Sequence, residues 1–395
     1  MRPLASRMSV MTGEGALSVY ARAKELEREG KSIIHLELGE PDFHPAAPTS
    51  EALKRAIDEG KDRYCPVIGV PALREALAQY LHKTRNLNVD PDHIVIAPGC
   101  KIALFMALMA VIDAGDEVLY PDPGFPGYAS ITLGLGGVPV AFELSERNYL
   151  QPDPDEIAAK VTPRTKILIT NSPGNPTGTV YTDEVQRRIA ELAVKHDLLV
   201  LSDEIYARII YGGRYVSMLN YPGMAERTLI IDGFSKSFAM TGWRLGYTVA
   251  PVRIVPALAM LVVNSWTCVA EFSQYGAIEA LKDSTGSTPR MVAEFAKRRE
   301  QFIRHLNRVP GFRCQEPEGA FYAWVNISET GMSAEELCRI MLEEAGVAAI
   351  AGAAFGPAGN DFVRFSFASS TATLREAVER IQAVSSAWQS SMAER

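Results

Sequence analysis

The alternation of apolar and polar positions changes period along this chain, and each change marks an element. Residues 1–15 show no period and read as an arm. Residues 17–29 follow a helical period, with Leu17, Tyr20 and Leu26 on the apolar side and Gly30 as the stop. Residues 33–38 form a strand-like run that ends in Gly39-Glu-Pro-Asp-Phe43, a turn by its Gly and Pro. Thr49 or Ser50 is placed to cap a helix reaching about Glu59, and Pro71 to open another reaching about Lys83.

From His93 onward the pattern becomes short apolar runs alternating with helical stretches. Strands are expected at 94–97, 117–120, 138–142, 166–170, 198–201, 228–231 and 247–250. Between them, Pro98-Gly-Cys-Lys101 turns into an apolar helix, and Thr182 caps a helix to about His196. Apolar helices run on to about Lys282. The polar stretch 283–289 reads as a linker, and a long helix is expected over 291–307. Strands at 312–315, 320–325, 347–351 and 362–367, with helices at 333–345 and from Thr371, complete the chain. Strands alternating with helices predict an α/β protein with a mostly parallel central sheet, and the C-terminal part reads as a smaller α+β domain. The expected division is 1–45 as arm and part of the small domain, 46–285 as the large domain and 286–395 as the small one.

Composition narrows the function classes. The chain has 395 residues, 47% apolar and 22% charged, as in ordinary globular proteins. A net charge of −7 argues against a phosphate-backbone partner, so no nucleic acid is expected. The five cysteines include no C-x-x-C pair, which fits a reducing cytoplasm rather than a disulfide framework or zinc site. No apolar run reaches the ~20 residues that span a bilayer, and no metal is expected.

The chemistry collects just past the strand ends. Lys236 follows the run 228–231 and is followed by Arg244. A lysine there is either a loop residue with its head in water or a desolvated amine with a lowered pKa, hence a nucleophile. Gly99-Cys-Lys101 at a strand-to-helix turn offers free N–H groups to a phosphate. Cys100 is either a small packed residue or a thiol acidified by the helix start. Phe125 stands in a Pro/Gly-rich loop where an aromatic can stack on a planar ring. Asn175 precedes Pro176, and Asp203 and Tyr206 follow the most apolar run. In a parallel sheet these positions share the ligand-binding edge. Phosphate donors, a ring-stacking aromatic, a carboxylate, a phenol, an amide and an amine together fit pyridoxal phosphate.

At these residues the chain resembles the class I/II pyridoxal-phosphate-dependent aminotransferases, of the aspartate-aminotransferase-like fold. The resemblance rests on Ser172-Pro-Gly-Asn-Pro-Thr-Gly178, Ser202-Asp-Glu-Ile-Tyr206 and Gly233-Phe-Ser-Lys-Ser-Phe-Ala-Met-Thr-Gly-Trp-Arg-Leu-Gly246, with Gly319-Ala-Phe-Tyr322 and Val363-Arg-Phe-Ser366 in support. It implies Lys236 as the Schiff-base lysine, Asp203 as partner of the pyridine nitrogen, and Tyr206 and Asn175 as partners of the ring phenolate. It implies a phosphate cup of Ser235, Arg244 and the amides of Gly99, Cys100 and Lys101, with Phe125 on the ring. Arg364 would clamp the substrate carboxylate beside Asn175 and Gly39. Tyr64 would reach the partner subunit's cofactor in a homodimer. Gly233 stands where some relatives have serine, leaving Ser235 to supply the hydroxyl. The implied activity is transfer of an amino group between an L-amino acid and a 2-oxo acid. A C–S lyase on the same scaffold and a non-catalytic cofactor-binding paralogue are the rival readings. Lys101 is open between reading a distal carboxylate and being an ordinary helix-start lysine.

Overall fold

The computed structural model describes residues 4–386 and 388. Seven strands make the central sheet: β1 (Ile94–Ala97), β2 (Glu117–Asp122), β3 (Val138–Glu143), β4 (Thr165–Asn171), β5 (Leu199–Asp203), β6 (Thr228–Gly233) and β7 (Gly246–Val249). Their order is β1-β7-β6-β5-β4-β2-β3. All neighbours pair in parallel except β7, which runs antiparallel to both β1 and β6. The parallel strands are apolar on both faces because helices cover both.

Side-chain alternation assigns the faces. Val95, Ala97, Ile167, Ile169, Leu201, Leu229 and Ile231 pack with the helices Cys100–Val111 and Val255–Val263. Ile94, Ile96, Ile230 and Val249 pack against Pro71–Arg85 and Glu271–Lys282. Leu119, Leu168 and Val200 meet the helix Asp183–Lys195, whose N-terminus Thr182 caps by accepting from the Val185 N–H.

The smaller α+β part has a four-stranded antiparallel sheet in the order Ile350–Ala351, Phe362–Ser366, Tyr322–Asn326, Arg313–Cys314. Its core joins Ile34 and Leu36 to Phe295, Phe321, Phe365 and Trp388, and reaches Ile205 and Tyr206 from the strand-end segment of the large sheet. That shared cluster seats the smaller part over the edge where the chemistry lies.

Several expected boundaries move. Neither Thr49 nor Ser50 caps a helix. The helix is Ala47–Asp58, entered through Pro48, whose fixed φ suits a first turn, and Thr49 is buried within it. The run 33–38 is a strand only at Ile34–His35, paired with Val347–Ala348. Beyond it, the Ser366 N–H donates to the Leu36 carbonyl at 2.7 Å, diverting the backbone to another partner. The stretch expected as a linker, 283–289, is a turn at 283–286 and helical only from Ser287, because Ser287–Leu306 starts directly after Gly286. The helices Gly127–Gly134 and Pro154–Lys160 were not among the expected elements, although Asp153 caps the second by accepting from the Asp155 N–H and Pro154 opens it. The first is buried on several sides, so it shows no polar stripe for a period to reveal.

Candidate active site

β2, β4, β5 and β6 all end at one edge, and a pocket of about 300 Å³ opens there. The arm closes one side with Glu14 to Leu17, and the smaller part closes the other with Tyr322, Ile350, Phe355 and Arg364. Lys236 lies in the turn after β6, and its amine donates to the carbonyl of Gly39. Its ammonium stands 6.0 Å from the centre of the Phe321 ring. Burial is the main influence on this amine and pulls its pKa down to about 8, helped by the nearby positive charges of Arg364 and Arg244. Gly39 must be glycine for this contact, because a Cβ there would fall 2.0 Å from the Tyr322 hydroxyl.

Asp203 closes β5 on the pocket side. The Tyr128 hydroxyl donates to its Oδ2 at 2.7 Å, and the Ile205 N–H reaches Oδ1 at 3.3 Å. Burial pushes this carboxyl up to about 6, and the Tyr128 bond holds it below what burial alone would give. Among the described residues no arginine or lysine pairs with it. Asn171 braces the turn beside it, donating to the Asp203 carbonyl at 3.1 Å and accepting the Asn175 N–H at 2.8 Å. The hydroxyls of Tyr206 and Tyr322 share a hydrogen bond of 2.7 Å. Burial raises both phenols, so both stay protonated at neutral pH.

Arg364 is held from three directions. It donates to Asn175 Oδ1 at 2.9 Å and to the Glu37 carbonyl, and its guanidinium lies 4.4 Å from the Tyr322 ring centre and 4.8 Å from that of Phe355. Its Nε has no partner among the described residues. A buried guanidinium with no carboxylate partner among the described residues, lining a pocket, is a ready site for a carboxylate.

At the opposite end, Gly99 precedes the helix Cys100–Val111 with φ +95°, and a Cβ there would strike the Arg244 guanidinium at 2.5 Å. Glycine therefore lets Arg244 lie against free helix N–H groups, and the two together make an anion cradle. Ser235 is buried beside it. Gly233 is glycine for a packing reason. A Cβ would sit 2.7 Å from Cys100 Sγ and 2.8 Å from Gly246 Cα, so no serine fits. Burial pushes the Cys100 thiol well up, so of its two readings the packed residue holds and the acidified thiol does not. Phe125 lines the pocket with its ring edge-on to Tyr128, at 5.5 Å between centroids. Tyr64 is the exception among the expected residues: it stands 86% exposed, away from the pocket walls.

The sequence reading missed Tyr128 as the partner of Asp203, Tyr322 as the partner of Tyr206, and Glu14. Tyr322 was within reach, since it ends one of the quoted motifs. Glu14 lay in a stretch without any period.

A mostly parallel sheet with a desolvated lysine, a half-buried aspartate and an anion cradle at its strand ends is the arrangement that the resemblance to the class I and II aminotransferases implied. The family model for aminotransferase class I and II matches residues 31–381, and the chain belongs to this family. An aspartate aminotransferase of Pyrococcus abyssi is 41% identical over 90% of this chain and 92% of its own. Aromatic-amino-acid aminotransferase 2 of Thermococcus litoralis is 38% identical over 96% of this chain and 98% of its own. The structure of Thermus thermophilus aspartate aminotransferase with maleate superposes with a TM-score of 0.93 at 37% identity, covering 97% of this chain and 100% of that one. The protein is an enzyme with transaminase activity. Among the described residues, no helix is long and apolar enough to cross a membrane.

Proposed function

We propose that this pocket holds pyridoxal phosphate and moves an amino group between an L-amino acid and a 2-oxo acid in two half-reactions. The observation that carries the reading is the Lys236 amine, drawn down to about 8 in a pocket it shares with the half-buried Asp203. Such an amine is neutral often enough at physiological pH to attack an aldehyde.

The donor set fits the cofactor group by group. Lys236 would hold the aldehyde carbon. Asp203, charged and oriented by Tyr128, would keep the pyridine nitrogen protonated. Tyr206 and Asn175 would donate to the ring oxygen, and Phe125 would cover the ring. Ser235, Arg244 and the N–H groups of Gly99, Cys100 and Lys101 would take the phosphate, which gains from the helix dipole. When bound, the cofactor draws off the electron pair left at the substrate α-carbon. The protein supplies the rest. Arg364, steadied by Asn175 and the Glu37 carbonyl, fixes the α-carboxylate and so aims the Cα–H bond. The Lys236 amine would be the base that takes the substrate α-proton and returns it. Tyr322, bonded to Tyr206 and stacked on Arg364, ties the two ends of the site together.

The working unit is proposed as a homodimer, with Tyr64 completing the partner's phosphate site. Its support is the exposure of Tyr64 together with the exposed apolar Leu4, Met8, Val10 and Met260. The five thiols are all free, which suits the cytoplasm. The division at 45/46 and 285/286 is proposed on the hydrophobic cluster that unites Ile34 and Leu36 with the C-terminal segment. Incubating the purified protein with glutamate and following the cofactor's absorption tests the reading. Conversion to the amine form of the cofactor is expected, with 2-oxoglutarate released. Failure of every amino acid to convert it would overturn the proposal.

A further inference from the structure

One charged pair in the pocket has no place in the roles above. Glu14 and Lys101 form an ion pair, and both line the cavity. Lys101 stands in the first turn of Cys100–Val111, where the helix dipole disfavours a cation. Its side chain is held by what lies opposite. Glu14 directly precedes the helix Gly15–Arg28 and makes no capping bond to it, so its carboxylate is free to cross to Lys101. The arm is seated closely here: a Cβ on Gly15 would lie 2.8 Å from Ala354 Cβ. The Glu14 charge also acts on Tyr322 and Arg364, which places it on the substrate side. The neighbouring walls are apolar, made by Leu17, Leu38, Ile350, Ala354 and Phe355.

We propose that Glu14 determines substrate specificity: by occupying Lys101 it sets the side-chain end of the pocket against acidic amino acids and in favour of apolar ones, aliphatic or aromatic. This rests on the reading of Arg364 as the α-carboxylate site. A distal carboxylate entering beside Lys101 meets a cation already neutralised and a second carboxylate next to it. Its lost hydration is then not repaid, and the like charges repel. An apolar side chain leaves the ion pair intact and covers Leu17, Ile350 and Phe355, which favours it by the area it removes from water. The pair is half exposed at Lys101, so it adds little to fold stability, and its removal leaves the structure standing.

The test compares the dimeric holoenzyme with its E14Q and E14Q/K101M variants, using two acids that bind without reacting. These are 3-phenylpropanoate and butanedioate, titrated by calorimetry, with kcat/KM for phenylalanine and aspartate alongside. The wild type is expected to bind 3-phenylpropanoate more tightly. E14Q should tighten butanedioate by roughly tenfold or more and raise kcat/KM for aspartate similarly, with phenylalanine within a few-fold of wild type. K101M added to E14Q should remove that gain. Equal binding of the two acids by the wild type, or an equal shift of both in E14Q, would overturn the role of Glu14. A different failure marks the underlying reading: neither acid binds any variant, while Arg364→Lys leaves every KM unchanged. That result removes the Arg364 site, and this inference with it.

Discussion

Asp203 and Glu204 are neighbours at the end of one strand, yet they have opposite fates. Alternation sends them to opposite faces of the sheet. Glu204 goes to the far side and meets Arg85, which donates to it at 2.6 Å and also pairs with Asp232. Ser202 and Ser217 donate to the other Glu204 oxygen, and the Tyr247 hydroxyl donates to Asp232 at 2.7 Å. Burial works against the Arg85 charge, but the carboxylates of Asp232 and Glu204 overcome it, and Arg85 stays ionised. Most of the donors and acceptors in that cluster are used. Among the described residues, Asp203 on the pocket side has a phenol and a backbone N–H instead of a cation, and Lys236 donates its hydrogen bond to a carbonyl rather than a carboxylate. The lesson is that burial alone does not mark a working group. A buried charge that its neighbours neutralise holds the fold, while one left short of a counter-charge is the candidate for meeting the ligand proposed above.

The sharpest way to break this comparison is Lys236→Ala. It should lower kcat by about 10⁴-fold or more while thermal unfolding stays close to wild type, because Lys236 makes no ion pair among the described residues. Borohydride treatment followed by peptide mass analysis should find no cofactor on the variant. Asp203→Asn should lower kcat on the order of 10²- to 10³-fold, with a small effect on stability, read by steady-state kinetics and differential scanning fluorimetry. Arg85→Met should do the reverse. Stranding Glu204 and Asp232 should cost about 3–5 kcal/mol of unfolding free energy, while the folded fraction keeps kcat within several-fold. Denaturant titration beside an assay at low temperature separates the two. Were Arg85→Met to abolish turnover in folded protein, the far-side cluster would belong to the site after all.

A smaller effect is expected from pH. Only the neutral amine of Lys236 attacks an aldehyde, and its folded pKa lies at about 8. The rate at which cofactor-free protein takes up pyridoxal phosphate should therefore rise tenfold per pH unit below 8 and level off above it. A midpoint near the ordinary lysine value would show that burial does not act on the amine. Smallest of all, Tyr322→Phe should change kcat by a few-fold, since Tyr206 would keep its own hydroxyl for the proposed contact with the ring oxygen.

How much of this was legible depends on how local each feature is. Lys236, Asp203, Asn175 and the turn at Gly99 each sit within a short turn of the end of an apolar run, so reading the strands was enough to put them on one edge. Thr182 could be read as a cap because capping spans three residues. Thr49 could not, because Pro48 starts the helix earlier and tertiary burial claims the threonine. The partner of Tyr206 lies 116 positions away, that of Asp203 75, and that of Arg85 at Asp232 147. Nothing in a local pattern reports such pairings.

By itself, then, the chain determined its strands, the edge at which they end and the kinds of chemical group waiting there, since period, turn residues and helix starts are properties of a few adjacent positions. Only the folded arrangement decided which charges are quenched and which stay available: that Glu204 meets Arg85 while Asp203 meets a phenol, that Gly233 leaves no room for a hydroxyl, and that Glu14 crosses from the arm to Lys101. The reason is physical. A charge is set by what surrounds it within a few ångströms, and those neighbours arrive from distant parts of the chain only when the core closes.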